Sequence, residues 1–177
     1  MSVKIKAGEF ADLDTSKFFG EILLPEKWLK DGIFGETEIF FCQINLEDFS
    51  PYDIGNLLPH SGMLYFFLDL DKVPAEGIVR YYDGLPEAYT DFNEEADTGY
   101  DLETEFPIEF TVGADEKTAM LCRDEKVFDN EVCLLRFCPR EFEDVDFLSD
   151  IDGKVYFVID KESLKKRDFS AAKLVVG

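Results

Sequence analysis

Two stretches of this chain are near copies of each other. Ser61-Gly62-Met63-Leu64-Tyr65-Phe66-Phe67-Leu68-Asp69 and Asp152-Gly153-Lys154-Val155-Tyr156-Phe157-Val158-Ile159-Asp160 each lead from a turn glycine into an apolar run that closes on an aspartate. The glycine, the tyrosine, the following phenylalanine and the aspartate all recur 91 residues apart. Upstream, Phe40-Phe41-Cys42-Gln43-Ile44 answers to Cys133-Leu134-Leu135-Arg136-Phe137. Self-similarity at a fixed offset marks duplicated structural units. It constrains architecture far more than activity.

A chain of 177 residues can bury roughly 70% of its unfolded surface in one domain. We therefore read residues 1–177 as a single domain: half one at about 16–84, a connection at about 85–116 and half two at about 127–177. The 18 Phe and 7 Tyr favour strands, where aromatic side chains pack on a pleated surface. The expected class is α+β: a β-rich domain with a mixed sheet, built from two internally duplicated strand-turn-strand halves and a few short helices. Residues 39–83 and 132–177 should superpose about a pseudo-twofold axis, Tyr65 on Tyr156 and Phe66 on Phe157.

Local signals fill in the elements. Residues 1–15 lack periodicity and read as an irregular arm. Pro25 suits the first turn of a helix over 26–30, with Trp28 toward the core. Glu38 to Ile44 is apolar enough for a strand buried on both faces. Asn45 is placed to cap a short helix that Pro51 ends. Strands are predicted at 63–70, 78–82, 106–112, 132–137, 155–159 and 174–176, and part of the connection reads as a helix after Pro86. Asp160 should cap a helix over 161–167, with Lys165, Lys166 and Arg167 in its last turn, where the dipole favours positive charge.

Charge excludes some functions. With 18 basic and 39 acidic residues the net charge is −21, and such a field repels nucleic-acid phosphate and anionic membrane surfaces. Neither is expected as a partner. Between Tyr81 and Glu116 there is no Lys or Arg but a dozen acids, Asp115 and Glu116 closing the run. We read the run as a solvated connection; its functional alternative is a surface for a basic protein, with Asp91, Glu94, Glu95 and Asp97 as the partner-binding candidates. Cys42, Cys122, Cys133 and Cys138 form no CxxC pair, which supports neither a zinc site nor a disulfide framework and suits a reducing, cytoplasmic setting. No apolar stretch reaches the length of a membrane span.

Catalytic signals are weak. His60 is the single histidine and adjoins Ser61, yet a nucleophile and base need side chains that face each other; we read His60 as a surface turn residue. Asp144, Asp146, Asp150 and Asp152 precede Gly153, but the EF-hand pattern fails at Leu148 and Ile159, and turn-forming aspartates are the plainer reading. No metal, no cofactor and no catalytic residue is assigned. Gln43 and Arg136 occupy matching places in apolar runs, where a buried amide or guanidinium must find partners. They are the ligand-binding candidates, either as the polar lining of a cleft at the junction of the halves or as groups that satisfy backbone there.

Four segments together resemble the YwqG-like family of bacterial proteins of unknown function. Ser16-Lys17-Phe18-Phe19-Gly20 through Leu24-Pro25 is similar to its Ser-Lys-x-Gly-Gly and Leu-Pro opening. Phe41-Cys42-Gln43-Ile44-Asn45-Leu46 resembles its Gln-Ile-Asn signature. Leu58-Pro59 through Gly62-Met63-Leu64-Tyr65-Phe66-Phe67, and Asp152-Gly153 through Leu164 to Asp168-Phe169-Ser170, resemble its later segments. Where that family carries a second Gln this chain has Arg136, and Ser149-Asp150-Ile151 replaces a Trp-Gly. The resemblance implies a β-rich fold with internal duplication and no defined reaction. By analogy with families that sit beside bacterial toxins, it implies an immunity-like role. The expected function is a non-catalytic cytoplasmic binding or interaction protein with an acidic surface for a basic partner. The alternative is a hydrolase or small-ligand-binding protein with a polar site at the junction of the halves.

Overall fold

The computed structural model describes residues 2–5, 12–111, 120–123, 129–139 and 153–177. The strands among them are β1 (Ser2–Ile5), β2 (Lys17–Phe18), β3 (Ile22–Leu24), β4 (Glu38–Asn45), β5 (Met63–Asp69), β6 (Glu76–Tyr82), β7 (Ala88–Thr90), β8 (Phe106–Thr111), β9 (Met120–Arg123), β10 (Glu131–Phe137), β11 (Val155–Asp160) and β12 (Lys173–Val176). Three short helices accompany them: α1 (Glu26–Asp31), α2 (Leu46–Phe49) and α3 (Lys161–Lys165). The fold is β-rich α+β, in one compact domain.

The longer strands form where apolar runs are bounded by residues that stop them. β4 ends because Asn45 turns its side chain back to accept a hydrogen bond from Glu47 N–H at 3.0 Å, which starts α2. Pro51 then continues only as a single 3-10 turn, Ser50–Tyr52, since proline lacks the N–H that a longer helix needs. β11 ends in the same way at Asp160, which accepts from the N–H groups of Glu162 and Ser163 and opens α3. α1 closes on Gly32, whose φ of 60° is the left-handed conformation that glycine adopts without a Cβ penalty.

Among the described residues ten strands form one sheet in the order β12-β11-β10-β9-β1-β8-β2-β4-β5-β6, and β3 pairs with β7 in a separate ribbon. The sheet expected as mixed is antiparallel at every described pairing. Among the described residues no connection contains a helix long enough for a parallel crossover, and neighbours joined by turns run antiparallel. β8 is the joint of the strip. Its residues Phe106 and Pro107 pair with β2, while Ile108 to Thr111 pair with β1. On either side of it the strip folds over, so that β4 and β5 face β10 and β11.

The core lies between those faces. Phe41 packs against Phe137 with ring centroids 4.5 Å apart, and Phe66 against Phe157 edge-on at 5.0 Å. The two ends of the strip also meet, because Gly77 of β6 lies so close to β11 and β12 that an added Cβ would stand 2.6 Å from the Phe157 ring and 3.0 Å from Leu174. A side chain at that position would push the closing edge away.

The two central strand pairs share a pairing pattern. β4 and β5 pair Phe40 with Phe67 and Cys42 with Phe66, skipping Phe41 as a bulge. β10 and β11 pair Cys133 with Val158 and Leu135 with Phe157, skipping Leu134. Beyond the bulges, Gln43 stands opposite Tyr65 and Arg136 opposite Tyr156. Each meander then adds a third strand, β6 or β12.

Two sequence expectations are corrected here. Part of the arm read as irregular is β1, held between β8 and β9, because pairing on both sides makes up for weak periodicity. The stretch after Pro86 is strand β7 rather than helix: it lies along β3 in the register Ile22 to Thr90 and Leu24 to Ala88.

Candidate functional site

A cleft of about 620 Å³ opens where the connection between β4 and β5 meets α3. It lies at the junction of the two halves. Its first wall is the segment that follows α2, which is shaped by buried Asp53: the carboxylate accepts from Leu58 N–H at 2.8 Å and the backbone carbonyl from Asn56 N–H at 2.9 Å. This brings Leu58 and Pro59 to the floor and leaves Asn56, His60 and Ser61 on the rim. Tyr81 of β6 braces that rim by donating to Ser61 O at 3.1 Å. Burial, and after it the Asp83 carboxylate, push the Tyr81 phenol upward, while Arg167 acts in the opposite sense.

The second wall is α3. Its sequence Lys161-Glu162-Ser163-Leu164-Lys165 places Lys161, Leu164 and Lys165 at helical spacings of three and four, hence on one face, and all three line the cleft. Leu164 is buried and meets Val132 of β10 at the floor. Lys161 N–H is anchored to Asn130 O at 3.1 Å. The helix stops in a turn where Arg167, at φ 58°, donates its N–H to Leu164 O at 3.0 Å and Asp168 N–H bonds to Ser163 O at 2.9 Å. Arg167 thereby joins the lining, and its guanidinium has no carboxylate partner among the described residues. Lys165 reaches Glu162 at 2.9 Å in an exposed pair, a type of interaction worth little and readily exchanged.

His60 is exposed and makes no hydrogen bond among the described residues; Ser61 Oγ turns instead toward Asp83, at 3.4 Å. The pair forms no nucleophile and base. The chemistry of the lining is that of a receptor for negative charge: three cations and a histidine around an apolar floor.

Gln43 and Arg136 are not brought together. In antiparallel pairs, directly opposed side chains share a face. Gln43 lies opposite Tyr65, which belongs to the cluster outside the shared core, and Arg136 opposite Tyr156 in a separate outer cluster. Both are buried, and neither lines the cleft. Gln43 donates through Nε2 to Leu13 O at 2.9 Å and Thr15 O at 2.6 Å, tying down the segment before β2, while its Oε1 is buried with no donor among the described residues. Beside it on β2 stands Lys17, fully buried and paired with Glu105 at 2.6 Å. Sequence reading passed over Lys17, although it lies within the Ser16-to-Gly20 segment; a lysine between Ser16 and Phe18 with strand neighbours was the available signal.

The described part of the acidic connection is organised. Asn93 is buried and clasps Phe40 at the bulge of β4, accepting from its N–H at 2.8 Å and donating to its C=O at 2.9 Å. Phe92 packs on Phe34 and Phe67. Glu94, Glu95 and Asp97 are exposed and Asp91 is half-buried. Asp115, Glu116 and the cluster Asp144, Asp146, Asp150 and Asp152 lie outside the described residues. Among the described residues no group of three His, Cys, Asp or Glu is placed to hold a metal, and no helix is long and apolar enough to cross a membrane. Among the described residues Cys42, Cys133 and Cys138 form no disulfide, and burial raises the Cys42 thiol well above its usual range.

No family model matches the chain, and no curated protein matches it.

Proposed function

We propose that this is a cytoplasmic, non-catalytic protein that binds a small anionic ligand in the cleft between its two halves. One observation carries the reading. In a chain with 39 acids and 18 bases, the described lining of its cleft holds Lys161, Lys165, Arg167 and His60 and not one carboxylate. A local positive site within a negative field selects small anions that can enter and excludes polyanions, which the surrounding field repels. The volume falls within the usual range for small-molecule sites, and an apolar floor with a few polar groups is their usual construction. Kinship with the YwqG-like family is part of the proposal, and the segments that carry the resemblance include Leu58-Pro59 on one wall and Leu164 on the other.

The test is thermal unfolding at constant ionic strength, since salt alone will stabilise a chain of charge −21 by screening. Small organic anions should raise Tm as ligands that bind only the native state do, and neutral analogues should not. Lys161→Gln with Lys165→Gln should remove the rise. If Tm follows ionic strength alone and ignores the identity of the anion, the cleft is not a receptor.

A second reading is an acidic face for a basic protein, immunity-like in kind. It draws support from Asn93, which fixes the backbone that presents Glu94, Glu95 and Asp97. Neutralising these acids with Asp91 should slow association with such a partner and flatten its salt dependence, because complementary charge acts chiefly on encounter; an unchanged rate would remove this reading.

A further inference from the structure

The lining of the cleft supports a narrower statement, which rests on the ligand-binding reading above. Lys161 and Lys165 stand one helical turn apart on the same face of α3, with neighbouring side chains roughly 5–6 Å apart at the Cβ atoms. Arg167 follows directly in the left-handed turn, its guanidinium unpaired among the described residues. Three cations therefore edge one wall of a single cavity. Beneath them the floor is apolar: Leu58, Val132 and Leu164, each exposed by no more than 5%.

We propose that the cleft takes an organic phosphomonoester, its phosphoryl group on Lys161, Lys165 and Arg167 and its apolar body on the floor. A monocarboxylate offers one charge and two oxygens, too few to engage three cations. A phosphoryl group offers a charge of about −1.5 to −2 at neutral pH and three strong acceptor oxygens. Arginine meets two of those oxygens as a planar fork, and lysine acts as a point charge beside them. An inorganic anion would leave the floor unused, and a nucleic-acid chain would meet the repulsion of the rest of the surface. Asn56 and His60, on the facing wall, add polar contacts for the body of the ligand. No bond is made or broken in this assignment.

The experiment is calorimetric titration of the full chain at constant ionic strength with phenyl phosphate, inorganic phosphate, phenylacetate and benzyl alcohol. Phenyl phosphate is expected to bind about tenfold or more tighter than each of the other three, and Lys161→Gln with Lys165→Gln to weaken it by about tenfold or more, the scale of charge-assisted hydrogen bonds. Arg167→Gln should weaken it by a smaller factor; these side chains are at the surface, so an unchanged Tm without ligand checks that each variant folds. Phenylacetate that binds as tightly as phenyl phosphate, with both lost in the double variant, leaves an anion receptor standing and overturns the phosphoryl assignment. Equal affinity for inorganic and phenyl phosphate overturns the role of the floor. Phenyl phosphate binding that the variants leave untouched, or no binding by any of the four at millimolar concentration, overturns this assignment and the ligand-binding reading together.

Discussion

The inner and outer faces of the two meanders meet different packing demands. On the inner side β4–β5 and β10–β11 carry the same bulge and the same pairing register, and present Phe66 and Phe157 to each other. On the outer side the matching row reads Gln43, Tyr65 and Arg80 in half one, with Lys17 beside Gln43, but Arg136, Tyr156 and Val175 in half two. Half one covers this row with α1 and the β3–β7 ribbon: Trp28 packs on Tyr65 at 5.7 Å, and the Tyr65 hydroxyl donates to Leu23 O at 2.7 Å. In half two the outer cluster is Cys133, Tyr156 and Val158, with Val175 packed beside them among the described residues. Faces that pack on each other must keep complementary shapes, whereas each outer face answers only to its own cover. The connections diverge as well. A loop without a helix joins β5 to β6, while α3 joins β11 to β12, so the helical wall that brings cations to the cleft has no counterpart between β5 and β6.

The largest effect should come from the shared face. Phe66→Ala and Phe157→Ala each remove a fully buried ring and should cost about 3–5 kcal/mol in urea unfolding. Because the rings touch, the double variant should fall short of the sum by about 0.5 kcal/mol or more. Strict additivity would mean that the faces do not depend on each other.

Next comes the outer row. Lys17→Met keeps most of the volume but takes from Glu105 the ammonium it pairs with, and removal of one partner from a buried ion pair costs about 3–5 kcal/mol; we expect the low end, because the Glu105 side chain keeps 15% exposure. Lys17→Met with Glu105→Gln should recover a measurable part of the loss. A single variant as stable as the parent would show that the row is not specialised in half one.

The smallest effect separates the two caps. Asn45→Ala should cost about 1 kcal/mol at any pH at which the protein is folded. Asp160 carries a charge in the same role, and the Ser163 hydroxyl, followed by backbone N–H groups, holds its carboxyl below the usual range. A folded-state pKa below the unfolded value means that the contribution is complete above about pH 4 and is lost as pH falls through the lower folded value. The difference between the parent and Asp160→Asn should therefore be flat near neutrality and change only in acid. A change that begins near pH 6 would assign the effect to another group.

Much of this arrangement was legible in the chain. β4, β5, β10 and β11 stand out because apolar runs end in residues that stop them, and Asn45 and Asp160 act as the caps their chemistry suggests. β1 and β7 were not legible, since strands of three or four residues take their conformation from partners far along the chain. The burial of Gln43 could be read, but not its service to Leu13 and Thr15, carbonyls in a segment with no pattern of its own. The cleft escaped for a related reason: Asn56 to Ser61 and Lys161 to Arg167 are a hundred residues apart, and the basic end of α3 has a sufficient local explanation in the helix dipole. The spacing of Lys161, Leu164 and Lys165 was the one local hint of a surface with both charge and grease.

The joint at β8 bears on the order in which the molecule can be assembled in time. β4, β5 and β6 lie close together in the chain and can pair as soon as they leave the ribosome. β1 is made first, yet its partners in β8 arrive only with the register of Ser2 to Thr111, so the N-terminal strand must wait through the synthesis of half one and the acidic connection. Loop closure over such a span is entropically slow. Until β10 and β11 arrive, the inner aromatic face of half one has no Phe137 or Phe157 to cover it. The acidic run from Asp83 onward then follows that exposed surface out of the ribosome, where its charge can keep a half-made chain from sticking to its neighbours.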